Sequence, residues 1–587
     1  MKKSVKTFGY SIFFSYICKV IKRETKNSKK MNTKTATKTN AFINAVNYKS
    51  TTLTENGAVT NVSTGSAIVD QFGKAGNFRG RSIAEVFADQ AQIWAENAEA
   101  ALRFPFYLRM ITRKVKVNAD NETDKVQNGQ GARDESFKRL LWIAQEQPEA
   151  FNNNIWALPL VGSWKDLWTL MFYDINEATN VVSRKTIYEV IAQGLLCDTH
   201  VDLVKKYMPR IKSQSKCKTP WTKITNDLAK EFAEHMGLTY KEYNKLKTSG
   251  NGHDFQKLIC SRNYDALNWN HIPGRALNLL VTSKFLTNHN LKDEYTKWIM
   301  AQPVAKFTGY VFELARKLRE ARGSRGYYGG SKNIPIEVKH TLDAQFKGLV
   351  DKARADGKIT ENVWCCLDTS GSMSRGAEGI KDITCEDIAS SLALFFADLN
   401  TGPFHNKVIM FDDVSYPYDM KGESFCDRIM NLPSVGCGGT NFQSAVEEII
   451  KIRKEHPEIP LEQYPTTILV VSDMQFNPVN YGWRSSRTEP TNYEYSVRSL
   501  KTVFPSDFVD SMKWIWWDCA SRRREDFAAT IQDSGCYFFS GFDGSIISML
   551  MNEDAVKDEV TGEVRRPTAE ELVAKALNQE ILSYINM

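Results

Sequence analysis

From Ser82 to Leu318 apolar residues recur at helical spacing. Ile83, Val86, Phe87 and Ala91 form one set, and Phe137, Leu140, Leu141 and Ala144 a second. Leu167, Leu170 and Met171, then Ile187, Val190 and Ile191, continue the pattern. Each set reads as a stripe facing a core. Short polar joints separate them and no fixed repeat length emerges, so the pattern predicts an irregular, HEAT-like α-helical array rather than a regular solenoid. Upstream, Asn32 to Gly80 is rich in Thr, Asn, Ser and Gly with little periodicity, and reads as an irregular arm.

After Thr360 the period changes. Val363–Leu367, Lys407–Phe411, Thr466–Val471, Met512–Trp517 and Cys536–Ser540 are short apolar runs of strand length, and Ile383–Leu399 and Phe442–Arg453 are amphipathic helices. This alternation predicts a doubly wound α/β domain with a mostly parallel sheet. Thr568–Ile585 reads as a final helix, with Glu570 and Glu571 near its N-terminus where they suit the helix dipole. The expected order is a basic leader at 1–30, the arm at 31–81, the helical domain at 82–335, the α/β domain at 336–552 and a C-terminal helical extension at 553–587.

The chain has 587 residues, more than one hydrophobic core organises. Its net charge of +7 is misleading as a whole. Met1–Asn40 holds ten lysines and Arg23 against Glu24, so the remainder is slightly acidic and any nucleic-acid site must be a local patch. Phe8–Ile21 resembles the apolar region of a secretion signal but no small-residue cleavage site follows, and it is too short to span a bilayer. Met31 is a second candidate start, and the residues before it are expected to be dispensable. No other stretch is long and apolar enough to cross a membrane, so a cytoplasmic location is expected. The 11 cysteines form no CxxC pair and read as reduced core thiols.

Three segments carry metal chemistry. Asp368-Thr369-Ser370-Gly371-Ser372 follows the first strand, Gly438-Gly439-Thr440 precedes a helix, and Ser472-Asp473 ends a strand. Oxygen donors of this kind at the carboxyl ends of strands suit a hard cation, Mg²⁺ or Mn²⁺. Asp412 and Asp413, at the next strand end, read as solvated loop acids. The set resembles the metal-dependent adhesion site of the von Willebrand A family. The resemblance implies that Ser370, Ser372 and Thr440 ligate the ion directly, that Asp368 and Asp473 act directly or through water, and that a protein ligand's carboxylate fills the open position.

A helical array followed by such a domain resembles the Ro-type (TROVE) proteins, and Gly541-Phe542-Asp543 is similar to their closing segment. Ordered blocks more closely resemble the domain-of-unknown-function 2828 family. They are Thr54–Ala58, Phe106–Arg109, Gly162-Ser163-Trp164-Lys165-Asp166-Leu167, Tyr240–Lys247 and Trp269–Ala276, with a departure at Asn118–Gly131. The Ro resemblance implies binding of structured or single-stranded RNA. Lys205–Lys247 holds eleven basic residues against four acids, interleaved with Tyr207, Trp221, Tyr240 and Tyr243. The candidate RNA-binding residues are Lys205, Lys206, Arg210, Lys212, Lys216, Lys218 and Lys223, with Arg322 and Arg325 from a Gly-rich joint that also reads as a plain linker. No Walker A or HExxH sequence occurs, and no Ser or Cys stands in a recognisable nucleophile–base arrangement, so a non-enzymatic protein is expected. The alternative is an interaction or scaffold module that acts on protein clients beside an ATPase, without RNA. A virion or scaffold component is a third reading.

Overall fold

The computed structural model describes residues 51–78, 80–110, 113–115, 125–127, 129–249, 254–307, 309–322, 333–355, 361–377, 383–433, 436, 438–479, 489–520, 526–541, 556–557 and 564–587. The leader at 1–30, Met31, Arg325, Phe542 and Asp543 lie outside them, as does most of the Asn118–Gly131 departure. The chain divides into two compact units. One contains Arg81–Leu267 and Leu577–Met587, the other Asn44–Gly80 and Asn268–Ala576.

In the first unit the helices start where the sequence provides caps. Ser82 and Glu85 form a capping box at the start of Ile83–Glu96, and the Asn97 side chain accepts the Ala100 N–H at the start of Ala98–Arg109. The predicted stripes of Arg133–Glu146 and Lys165–Asn176 are buried. That of Ile83–Glu96 is displaced. Val86 and Ile93 are buried but so are Asp89 and Gln90, while Ala91 is exposed. The cause is a charge inside the core. Arg139 is fully buried, stacks over Phe104 at 5.0 Å and donates to Glu135 at 2.8 Å and to the Gln90 side chain at 3.2 Å. Arg81 reaches the same Glu135 oxygen at 3.1 Å and also pairs with Asp89. Burial lowers the pKa of the Arg139 guanidinium, which Glu135 and Asp89 oppose. Polar residues therefore occupy positions that a hydrophobic stripe would fill.

The second unit is built on a six-stranded sheet. Its strands are β3 (Val363–Asp368), β4 (Lys407–Phe411), β5 (Ser415–Asp419), β6 (Thr467–Ser472), β7 (Lys513–Asp518) and β8 (Cys536–Ser540), in the order β8-β7-β6-β3-β4-β5. All neighbouring pairs are parallel except β4–β5. Every residue of β3, β6, β7 and β8 is buried, as expected where both faces of a parallel sheet are covered. The edge strand β5, which the apolar pattern missed, is largely exposed and carries Pro417, a residue that edge strands tolerate. Cys365 and Cys366 are buried on β3, and no disulfide joins the described cysteines.

The described part of the segment read as an irregular arm, residues 51–78 and 80, is structured instead. β1 (Thr51–Leu53) and β2 (Val59–Asn61) form an antiparallel hairpin, and a helix runs over Ala67–Lys74. The segment docks onto the far half of the sheet. Asn61 and Phe527 exchange backbone hydrogen bonds, and Lys74 makes a buried 2.7 Å ion pair with Asp518 at the end of β7. A Cβ on Gly76 would meet the Ser540 carbonyl oxygen at 2.4 Å, so only glycine permits this approach. The arm lacks periodicity because its partners are distant in the chain. The helix Ile336–Ala355 lies in the sheet-bearing unit, whose expected start was 336, and Asn268–Arg322 groups with the same unit. The C-terminal helix breaks into Ala569–Leu577 and Glu580–Ser583, and its end joins the helical unit, where Arg103 donates to the Ile585 carbonyl at 3.0 Å.

Lys74→Ala would leave the Asp518 charge buried without its ion pair. It is expected to destabilise the sheet-bearing unit by about 3–5 kcal/mol. Urea unfolding followed by tryptophan fluorescence, which reports on Trp514, Trp516 and Trp517 of β7, measures the effect.

Candidate functional site

The strand order has a switch point. From β3 the chain moves to β4 and β5 on one side, and then to β6, β7 and β8 on the other. Crossovers leave β3 and β6 in opposite directions, which opens a crevice at their carboxyl ends. Asp368 is the last residue of β3, and Asp473 directly follows β6. Asp368, Ser370, Thr440, Ser472 and Asp473 are all buried, and Ser372 is half-buried.

Local hydrogen bonds set each group. The Ser370 N–H donates to Asp368 Oδ1 at 2.8 Å, the Ser472 hydroxyl donates to Asp368 Oδ2, and the Ser370 and Ser372 hydroxyls lie 3.1 Å apart. The Gly438–Thr440 loop is tied to both flanks. Gly371 N–H donates to the Gly438 carbonyl at 3.3 Å, Asn477 N–H to the Thr440 carbonyl at 2.8 Å, and Thr440 N–H to Asn477 Oδ1 at 3.3 Å. Asp413 Oδ1 accepts the Gly439 N–H at 2.8 Å. Cβ atoms on Gly438 and Gly439 would lie 2.6 Å from the Asp413 and Asn477 side chains respectively, so the two glycines let the loop close over these residues. Asp413, although exposed, is thus a loop-positioning acceptor and not merely a solvated acid. Its place at the end of β4 was the available signal. Asn477 and Ser472 carried none, because their roles come from distant partners.

The Asp368 carboxyl is pushed above the ordinary range, first by burial and then by the nearby Asp473 carboxylate. Two acids share a buried space, and the surrounding donors are hydroxyl oxygens. This all-oxygen set fits a hard divalent cation, which would offset the repulsion between them. Among the described residues no group of three or more His, Cys, Asp or Glu side chains is placed to hold a metal ion, and this site offers two carboxylates beside hydroxyls.

Beyond Asp473 the backbone is strained. Met474 has φ +63° and is held by a 3.0 Å hydrogen bond from its N–H to the Ser472 hydroxyl. A left-handed non-glycine residue costs about 1–2 kcal/mol. Gln475 follows, and the Thr54–Ala58 block packs on it. Gln475 Oε1 accepts the Glu55 N–H at 2.7 Å, its Nε2 donates to Asp526 at 3.0 Å, and Thr54 donates to the Phe476 carbonyl at 2.6 Å.

The basic cluster lies in the helical unit. Arg210, Lys212, Lys216, Lys218 and Lys223 are exposed, and Lys205 and Lys206 are half-buried. None of these seven is in an ion pair among the described residues. The aromatics differ from one another. Tyr243 is core, donating to the Pro209 carbonyl at 2.8 Å, and Tyr240 is exposed and bonded to Glu234, while Tyr207 and Trp221 are half-buried. Arg322, half-buried, ends the Val311–Arg322 helix in the other unit.

The Gly162–Leu167 block is a structural knot. Asp166 accepts from Arg109 at 2.8 Å and from the Ser163 N–H at 2.7 Å, and a Cβ on Gly162 would lie 2.3 Å from the Asp166 carboxylate.

The family model "Domain of unknown function (DUF7788)" matches residues 362–583, and this is not the 2828 family that the sequence blocks resemble. The chain is 21% identical over 538 residues to "Uncharacterized protein L728" of Acanthamoeba polyphaga mimivirus, covering 85% of this chain and 84% of that protein. The crystal structure of the Deinococcus radiodurans Ro (RSR) protein matches with a TM-score of 0.34 and 15% identity, over 71% of this chain and 86% of that one. That likeness is too loose to transfer a function. No described helix is long and apolar enough to cross a membrane.

Gln475→Ala would remove a buried donor to Asp526 together with the acceptor of the Glu55 N–H. A destabilisation of about 1–3 kcal/mol is expected in urea unfolding of the full chain.

Proposed function

We propose that the chain is a non-enzymatic binding protein with two binding surfaces. The sheet-bearing unit presents a metal-dependent adhesion site of the von Willebrand A kind, and the helical unit binds RNA in the manner of Ro-type proteins. The observation that carries the first part is the pair of buried carboxylates, Asp368 and Asp473, at the ends of adjacent central strands beside Ser370, Ser372 and Thr440. These five residues would hold Mg²⁺ or Mn²⁺. Such an ion, when bound, supplies positive charge and an open coordination position for a protein ligand's carboxylate. The chain's own contribution is to fix the oxygens and to keep them dry. Both carboxylates would be committed to the ion and would not serve as a general base, which favours binding over hydrolysis.

Mg²⁺ at about 100 times its Kd should stabilise the parent by about 2.7 kcal/mol. Asp368→Ala should abolish that gain while its helical unit stays folded. Equal stabilisation of the two proteins by Mg²⁺ in thermal unfolding would refute the metal site.

RNA binding is favoured by the exposed cations of the Lys205–Lys247 segment. Lys212, Lys216, Lys218 and Lys223 have no carboxylate partner among the described residues. Replacing these four by Glu should lower RNA affinity and shallow its dependence on salt. The log–log slope should fall by about 0.7 for each phosphate of a single strand that the variant no longer neutralises. Filter retention across a salt series measures both. A parent that binds no RNA at low salt points instead to a protein-client module without RNA.

A further inference from the structure

A pocket of about 310 Å³ opens on the helical unit, lined by Arg133, Lys165, Thr169, Phe172, Tyr173 and Trp221. Its volume is at the lower end of the range for small-molecule sites. Lys165, Thr169, Phe172 and Tyr173 stand on one face of the Lys165–Asn176 helix, at successive turns. Trp221 enters from the first turn of Pro220–His235, where Thr219 and Thr222 form a capping box and Pro220 starts the helix. Arg133 begins Arg133–Glu146.

The lining combines two chemistries. Phe172, Tyr173 and Trp221 are half-buried, so each ring keeps an accessible part. Phe172 and Trp221 meet edge to face with centroids 5.0 Å apart. The exposed Lys165 ammonium lies 5.4 Å from the Trp221 centroid and is in no ion pair among the described residues. Arg133 is half exposed and stands 3.8 Å from Asp166, a loose approach, because Asp166 is already held by Arg109 at 2.7 Å. The nearby Asp134 is engaged by the Tyr173 hydroxyl at 2.9 Å and by Lys138 at 3.2 Å. Burial, then Asp134, holds the Tyr173 hydroxyl in its protonated form. Two available cations beside three aromatic rings disfavour a cationic guest and suit a flat ring that carries negative charge.

We propose that this pocket binds one unpaired nucleotide, its base against Trp221 and Phe172 and its phosphate against Lys165 and Arg133. The proposal rests on the RNA reading and adds a site outside the exposed lysine cluster. A nucleotide within a strand and a free nucleoside monophosphate share this chemistry. The basic surface around Lys216, Lys218 and Lys223, close in sequence to Trp221, favours the strand.

The test uses the full chain, fluorescence anisotropy of a labelled oligouridylate, and UMP as competitor. Lys165→Gln alters an exposed side chain and should leave folding intact. It should weaken binding several-fold and reduce the salt slope by about one released counterion. Trp221→Ala should weaken binding about tenfold or more, whereas Trp221→Phe, which keeps a ring, should retain most of the affinity. Competition by UMP at concentrations near its own binding would identify the free nucleotide as sufficient. Weakened binding in the variants without competition would assign recognition to the strand. Parent-like binding by Lys165→Gln and Trp221→Ala, with weakened binding in the Lys212, Lys216, Lys218 and Lys223→Glu variant, overturns the pocket and leaves the RNA reading standing. No binding by the parent overturns both.

Discussion

Two carboxylates buried side by side constrain the sheet-bearing unit more than any other feature. Asp368 and Asp473 end adjacent central strands, at the one place in the sheet where the crossovers diverge. Burial and then the nearby Asp473 carboxylate both oppose ionisation of Asp368. The structure answers with hydroxyls. Ser472 donates to Asp368, the Ser370 N–H donates to the same carboxylate, and the Thr440 loop is pinned beside them by Asn477 and Asp413. An interior assembled for stability alone would not place like charges there, because apolar residues of similar volume avoid the desolvation cost. In the proposed reading, a bound cation would offset that cost.

The loop that carries Asp473 is braced from the other end of the chain. Gln475 accepts the Glu55 N–H and reaches Asp526, while Lys74 pairs with Asp518 at the end of the next strand. The N-terminal segment therefore holds the carboxyl ends of β6 and β7, which position the site. The strained Met474 is tolerated because its neighbours are fixed on both sides.

The helical unit treats charge in two ways. Arg139 and Arg109 are buried and committed to Glu135 and Asp166, where they organise the packing of helices. Lys212, Lys216, Lys218 and Lys223 are exposed and stand in no ion pair among the described residues. Arg133 and Lys165 stand between these extremes, at a pocket with aromatic walls. The distinction between structural and available cations depends on burial and partners, so residue type alone cannot make it.

What the sequence determined was local. Alternating periods marked five of the six sheet strands and two of the helices between them, at Cys385–Leu399 and Phe442–Glu455, because side-chain spacing within an element is a property of neighbouring residues. The DxSxS segment, the Gly-Gly-Thr loop and the Ser-Asp pair were legible because each sits at a strand end or helix start that the same periods reveal. The edge strand β5 was missed because an exposed edge needs no apolar run. What only the tertiary structure decided was non-local. Thr54 meets the Phe476 carbonyl 422 positions away, Lys74 meets Asp518, and Trp221 closes a pocket begun at Arg133. Nor could periodicity foresee that Asp89 and Gln90 would face a core built around Arg139. Such pairings join segments whose separation in the chain leaves no spacing to read, and they form only when the packed core brings them within a few ångströms.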